Sequence, residues 1–160
     1  MRLLALDIST QVGWALFKRP AAPPRLGTWR APLAAVDNYG PRLDAFETWL
    51  HDFIPLARPE VLAFESPVFV KWSSDLATTE HTIRMLVSLA GIAELVAWRA
   101  RLRCLEVHSR TAKRRLTSDN RAKKRAMQSA AVRLGFTVAD DHQADAIAVA
   151  LAAYDHLGAS

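Results

Sequence analysis

Cysteine is almost absent from this chain: Cys104 is the single one in 160 residues. An intramolecular disulfide is thereby excluded, and the usage fits a reducing compartment. Cys104 lies in an apolar run with Leu102, Leu105 and Val107, where packing rather than thiol chemistry is expected. Long apolar runs are missing too. No stretch reaches the roughly 18–20 consecutive apolar residues that a membrane helix needs. The opening Met1-Arg2-Leu3-Leu4-Ala5-Leu6 meets an acid at Asp7, too soon for a signal peptide's apolar stretch. The expectation is a cytoplasmic protein with no membrane partner. Internal repeats, low-complexity tracts and breaks in composition are likewise lacking, so residues 1–160 read as one domain with a well-buried core. With 51% hydrophobic and 23% charged residues, a disordered chain is excluded.

What the chain does have is an excess of bases, 21 Lys and Arg against 16 Asp and Glu, for a formal charge of +5. Such a balance points toward a polyanionic partner, and its distribution says more than its size. Between Arg110 and Arg125 lie Lys113, Arg114, Arg115, Arg121, Lys123 and Lys124, with one acid, Asp119, among them. That density reads as a phosphate-binding footprint, the alternative being a solvated helical face.

The hydrophobic pattern predicts the elements in turn. Leu3 to Leu6 and Trp14 to Phe17 form two strands joined through Asp7-Ile8-Ser9-Thr10 and Gly13, a hairpin with Asp7 near its turn. Pro20, Pro23 and Pro24 make a loop, and Leu26 to Arg30 supplies a third strand. Asp37 or Asn38 caps a helix whose Leu43, Phe46, Leu50, Phe53 and Ile54 recur at helical spacing, and Pro55 and Pro59 end it. Val61 to Phe64 is a buried parallel strand with Glu65 at its end. A loop from Pro67 to Ser74 precedes a long helix from about Asp75 to Ala100, and Leu102 to Val107 makes the fifth strand. The basic segment folds as two helices parted near Thr117 to Asn120, with Gly135 stopping the second. His142 to Tyr154 is the last helix, capped by Asp140 or Asp141. A meander followed by alternating helices and strands implies an α/β fold: a five-stranded mixed sheet, antiparallel over its first three strands and then parallel, with helices on both faces.

Three acids sit where a structural role is hard to find. Asp7 and Glu65 each end a buried strand, and Asp145 lies in Ala144-Asp145-Ala146-Ile147-Ala148-Val149, a helix apolar almost all round. Isolated carboxylates in such surroundings are costly unless paired, hydrogen-bonded or bound to a cation. Adjacent strands lie about 5 Å apart, so acids at two central strand ends can share one site, and a helix packed over them can add a third. Oxygen ligands gathered this way suit Mg²⁺ or Mn²⁺, and phosphodiester cleavage often uses two such ions. His142, three residues before Asp145, projects from the same helical face and can serve as a nitrogen ligand or as a base. Asp141 can also reach that face. Taken singly, each has a plain alternative: Asp7 as a turn residue, Glu65 as a strand-end carboxylate, Asp145 as an acid favoured by the helix dipole, His142 as a capping residue.

Together these segments resemble the RuvC-type Holliday-junction resolvases of the ribonuclease-H-like superfamily, over nearly the whole chain. Leu4-Ala5-Leu6-Asp7-Ile8-Ser9-Thr10 looks like the family's first strand and first catalytic Asp, with Ile8-Ser9-Thr10 where the family usually has Pro-Gly-Ser. Ala63-Phe64-Glu65-Ser66-Pro67-Val68-Phe69 looks like its second-acid motif. His142-Gln143-Ala144-Asp145-Ala146 looks like its terminal Asp-x-x-Asp-Ala, with His142 in place of the first acid. The resemblance implies Asp7, Glu65, His142 and Asp145 as catalytic and metal-holding residues for Mg²⁺ or Mn²⁺, two ions per site. It implies Phe69 at the junction centre and Lys113 and Lys124 on the DNA backbone; beside these, Trp72 is a second candidate for base stacking, and Lys71, Arg114, Arg121 and Lys123 are candidate DNA contacts that match no invariant pattern of the family. It further implies a homodimeric endonuclease cutting four-way DNA junctions to leave a 5′-phosphate and a 3′-hydroxyl, with residues 82–94 in the helix that helps build the dimer. Two rivals stay open: a related nuclease for RNA–DNA hybrids or flaps, and a branched-DNA-binding module without activity. In ribonuclease HI the second acid comes from the first helix, where Glu47 is the candidate.

Overall fold

A computed structural model describes residues 1–20, 22–31, 38–67 and 80–158. Five strands form one sheet: β1 (Leu3–Asp7), β2 (Gln11–Phe17), β3 (Arg25–Arg30), β4 (Val61–Glu65) and β5 (Arg103–Val107), in the spatial order β3-β2-β1-β4-β5. The first three pair antiparallel, with Asp7 opposite Gly13, while β1, β4 and β5 run parallel, Leu6 standing beside Phe64 and Glu65 beside Val107. This is the mixed sheet that the hydrophobic pattern implies. The five helices are α1 (Gly40–Ala57), α2 (Glu80–Arg99), α3 (Ser109–Thr117), α4 (Lys124–Arg133) and α5 (Asp141–His156).

Successive strand residues point to opposite faces, so the sheet separates two cores. Leu4, Leu6, Leu16, Leu62 and Phe64 pack with Phe46, Leu50, Leu89 and Ala93 of α1 and α2. Leu3, Ala5, Phe17, Val61 and Ala63 pack with Met127, Ala144, Ile147 and Ala148 of α4 and α5. The same alternation aims Asp7, two beyond Ala5, and Glu65, two beyond Ala63, at the α5 face. The small residues of α5 explain its position at the centre of that layer. Ala144, Ala146, Ala148 and Ala150 are fully buried, so the helix backbone lies close to the strands.

On the other layer α1 is held by aromatic rings: Trp29 stacks on Trp49 at 5.5 Å and Trp49 on Phe53 at 5.5 Å, while Trp14 leans on Phe53 at 4.8 Å. Gly27 makes room for this, since a Cβ there would fall inside the Trp14 ring. Two helix-end expectations need correction. The α1 N-cap position is Tyr39, without a side-chain cap; Asn38 instead accepts the Gly40 N–H at 2.9 Å, and Asp37 lies outside the described residues. Pro55 sits inside α1 rather than ending it, and the helix stops at Arg58, whose left-handed backbone (φ 49°) lets its N–H reach the Ile54 carbonyl. By length and composition α2 could cross a membrane, yet its Met85, Leu89, Ala93 and Val96 are packed in the core. Cys104 is half-buried, its thiol pushed up to about 11 chiefly by desolvation, which fits a packing role.

Candidate active site

The chain ends of β1 and β4 and the first turns of α5 meet at one edge of the sheet. Local chemistry sets each in place. Ser9 closes the β1–β2 turn, its hydroxyl donating to the Gln11 carbonyl at 2.5 Å. Asp140 begins α5: its Oδ1 accepts the Gln143 N–H at 2.9 Å, and its Oδ2 takes a hydrogen bond from Thr28 of β3 at 2.6 Å. Gln143, itself buried, reaches back to the Ala139 N–H at 3.0 Å. Such capping satisfies donors that the first helical turn would otherwise leave orphaned. Gly13 completes the arrangement, because a Cβ at that position would overlap the His142 carbonyl. Only glycine lets α5 come this close to β2.

Asp7 is 8% exposed, and His142 Nδ1 lies 2.8 Å from its Oδ2. Burial raises the Asp7 pKa against the opposing pull of His142. The hydrogen bond to Asp7 raises that of His142, against the effect of burial. With Nδ1–H donated to Asp7, Nε2 is the imidazole nitrogen left for another partner. Glu65 is raised by burial and then by the charge of Asp7, with a Ser109 hydrogen bond and Lys113 opposing. Asp145 is pushed up to about 7, first by burial and then by Asp7 and Glu65. The three carboxylates therefore share one field, Asp7 making Glu65 harder to ionise and both of them doing so to Asp145. One oxygen of Asp145, Oδ1, is buried without a hydrogen-bond partner.

Among the sequence-predicted cations, Lys113 bears on Glu65 and Asp145, and Lys124 on Asp7. Lys124 Nζ is 2.5 Å from Asp141 Oδ2, a pairing that raises the lysine and lowers the acid. Asp141 thus serves Lys124, and Asp140 is the cap. Arg114, Arg121 and Lys123 are exposed along α3 and the connection to α4. Phe69, Lys71 and Trp72 lie outside the described residues. Glu47 is claimed by Arg99 at 2.6 Å between α1 and α2, on the other layer of the fold. Sequence reasoning missed Ser109, a buried hydroxyl at the start of α3 that bonds Glu65. A polar residue just after the β5 strand end was the signal available.

The donor set is chemically suited to a hard divalent cation: carboxylate oxygens with one imidazole, mutually repelling, one oxygen buried and unpartnered. Among the described residues, no three His, Cys, Asp or Glu side chains are already closed around a single point as a cage. Asp7 is instead turned onto His142. The residues fit the ion by their chemistry and their common field, not by a ligand cage already formed.

The five-stranded mixed sheet in the order β3-β2-β1-β4-β5, with helices on both faces, is the ribonuclease-H-like α/β fold. No protein-family model and no curated protein sequence matches it. Solved structures do. Thermus thermophilus RuvC in complex with Holliday junction substrate is 20% identical, with a TM-score of 0.77 and 99% of this chain and 97% of that chain covered. A second Thermus thermophilus RuvC structure gives 20% identity and a TM-score of 0.72 over 99% and 98%. The yeast mitochondrial Holliday junction resolvase gives 12% and 0.65 over 94% and 76%. At these identities the likeness establishes the fold, which is that of the RuvC resolvases.

Proposed function

We propose that this protein is a metal-dependent endonuclease that cleaves four-way DNA junctions. The observation that carries the reading is the gathering of Asp7, Glu65 and Asp145 on the α5 face of the sheet, with Asp145 Oδ1 buried and unsatisfied. Carboxylates so placed gain their missing counter-charge from cations. The likeness to a RuvC bound to junction DNA adds the substrate class.

In this reading Asp7, Glu65 and Asp145 hold Mg²⁺ or Mn²⁺, two ions per site, with His142 Nε2 completing the set. The ions would supply Lewis acidity and neutralise charge building on the phosphate. The chain's own residues do the positioning. Ser109 orients Glu65, and Gly13 and the Asp140 cap hold the His142–Asp145 turn against β1. Lys113 and Lys124, with Arg114, Arg121 and Lys123 beyond them, hold DNA backbone without reading its sequence. Lys124 would exchange Asp141 for a phosphate. Phe69, Lys71 and Trp72 follow Glu65 closely in the chain and are proposed for the junction centre.

A four-way junction has approximate two-fold symmetry, so a two-fold dimer can present one site to each of two like strands. The outward side of α2 carries Val87 and Leu95, each more than 40% exposed, an apolar surface for such pairing. A ribonuclease-HI-like arrangement is disfavoured, since Glu47 is committed to Arg99.

The test is cleavage of a synthetic four-way junction beside linear duplex, flap and RNA–DNA hybrid, with Mg²⁺ and with chelator. Cutting of the junction alone, lost in Asp7→Asn while junction binding persists, is the expected result. Equal cutting of every substrate would refute junction specificity. Binding without Mg²⁺-dependent cleavage, unchanged in Asp7→Asn, would leave a binding module instead.

A further inference from the structure

The positive charge of this chain is not confined to the segment next to the acids. The strand ends away from the active site lie together: Phe17 pairs with Leu3, Leu3 with Val61 and Val61 with Arg103 in one register row, and Arg25, opposite Leu16, begins β3 one residue off that row. Asp7 and Glu65 lie at the opposite ends of β1 and β4. The chain segments that enter or leave this row are basic in turn. Lys18 and Arg19 follow Phe17, Arg58 closes α1 just before β4, and Arg101 lies in the turn leading into β5.

Lys18, Arg19, Arg25, Arg58, Arg101 and Arg103 are all exposed, and none has a carboxylate partner among the described residues. The acids that approach this end already face other groups. Glu60 accepts the Arg2 backbone N–H at 2.5 Å and faces the terminal amine at 3.8 Å, and Asp155 is held by Arg115 at 2.5 Å. Six unpaired cations at one end exceed the net charge of +5 on the entire chain.

We infer that this far end of the sheet is a second nucleic-acid surface, one that takes the phosphate backbone of a duplex without reading its sequence. Geometry favours a duplex over a compact anion. Four inter-strand gaps of about 4.8 Å put Arg25 and Arg103 roughly 19 Å apart across the sheet. Over that span a duplex presents about eleven phosphate charges, at one per roughly 1.7 Å. Two hollows open along the same end, one bordered by Arg2, Lys18 and Arg25 and the other by Trp98, Arg101 and Arg103. The surface faces away from the carboxylates, so duplex held there is not the strand being cut. It would tether the protein to DNA, or seat a distal arm or a second segment. The inference goes beyond the proposed nuclease and does not depend on it.

The experiment compares the full chain with the variant Lys18→Gln, Arg25→Gln, Arg101→Gln, Arg103→Gln. All four positions are exposed, and a thermal melt confirms that the variant is folded. Affinity for a linear duplex is measured by fluorescence anisotropy across a salt series. A short-armed junction is bound and cleaved in parallel.

Each lost phosphate contact removes about 0.9 from the slope of log K against log salt, so with all four cations in contact the variant's slope should be shallower by about 3.6. Its duplex affinity at low salt should fall at least tenfold, with short-armed junction cleavage unchanged. An unchanged slope and duplex affinity would overturn the inference. So would loss of binding to anionic lipid vesicles with duplex binding intact, since it would assign the surface to a membrane. If the wild-type chain cuts no junction at all, the nuclease reading fails while the duplex comparison still decides this one.

Discussion

Consider replacing Asp145 by Asn and following stability rather than cleavage. In the fold the Asp145 carboxyl is pushed up to about 7 from an ordinary 3.8, by burial and by the charges of Asp7 and Glu65. An acid raised in the folded state favours folding only while it holds its proton. That contribution is complete below the unfolded pKa of 3.8 and is lost as pH rises through about 7. At about 1.4 kcal/mol per pKa unit, the ionised form carries a penalty of at most roughly 4 kcal/mol. Asp145 is not fully enclosed, so about half of that, some 2 kcal/mol, is the working value.

The neutral amide escapes the penalty. In a domain of this size 1 kcal/mol moves Tm by about 2–4 °C. In chelator near pH 8, Asp145→Asn should therefore melt roughly 4–8 °C above the wild type, and near pH 5 the gap should shrink to less than about half of that. Adding Mg²⁺ or Mn²⁺ should raise the wild-type Tm near pH 8 and raise the variant's much less, reversing the order or closing the gap. Thermal denaturation followed by circular dichroism at the two pH values, with and without metal, reads all of this. A variant less stable than wild type near pH 8 in chelator would refute the electrostatic argument. A metal-induced rise that survives the substitution would remove Asp145 from the ion site.

Two further outcomes test how the site is built. Gly13→Ala forces a Cβ into the His142 carbonyl, an overpacking that should cost about 1–3 kcal/mol or more. Junction cleavage should fall further than the folded fraction does, and an unaltered Tm would show that α5 moves aside freely. Ser109→Ala removes the hydroxyl on Glu65, with an expected cost near 1 kcal/mol in stability and about tenfold in cleavage rate at unchanged junction affinity. Recovery in Ser109→Thr would confirm orientation as the cause, while full activity in the alanine variant would dismiss Ser109 from the site.

The strand alternation made much of this legible in advance. Leu3, Ala5 and Asp7 share a face, as do Val61, Ala63 and Glu65, and a helix of small residues carrying Asp145 was the natural cover for that face. The mixed sheet followed from the order of apolar runs. What depends on tertiary contact did not show. Pro55 looked like a helix stop, but a proline near the end of a long amphipathic helix is tolerated when the packed face carries the stability. Gly13 read as a turn residue, and its second task exists only because the first turn of α5 lands on β2. Glu47 could not be told from a site acid until Arg99, at the end of another helix, was seen to hold it. The basic end was invisible for the same reason: Lys18, Arg58 and Arg101 are scattered in the chain and are neighbours only because the sheet aligns its strand ends.

Asp7 and His142 touch across 135 positions of sequence. In the proposed enzyme, the first strand therefore carries an acid that does nothing until the last helix docks on it. Bringing such distant segments together is the slow, entropically costly kind of closure. A chain still emerging during synthesis would own two of the three acids and neither the third nor the histidine. The hydrolytic centre would thus come into being only with the completed fold, and a partly made copy would leave DNA uncut.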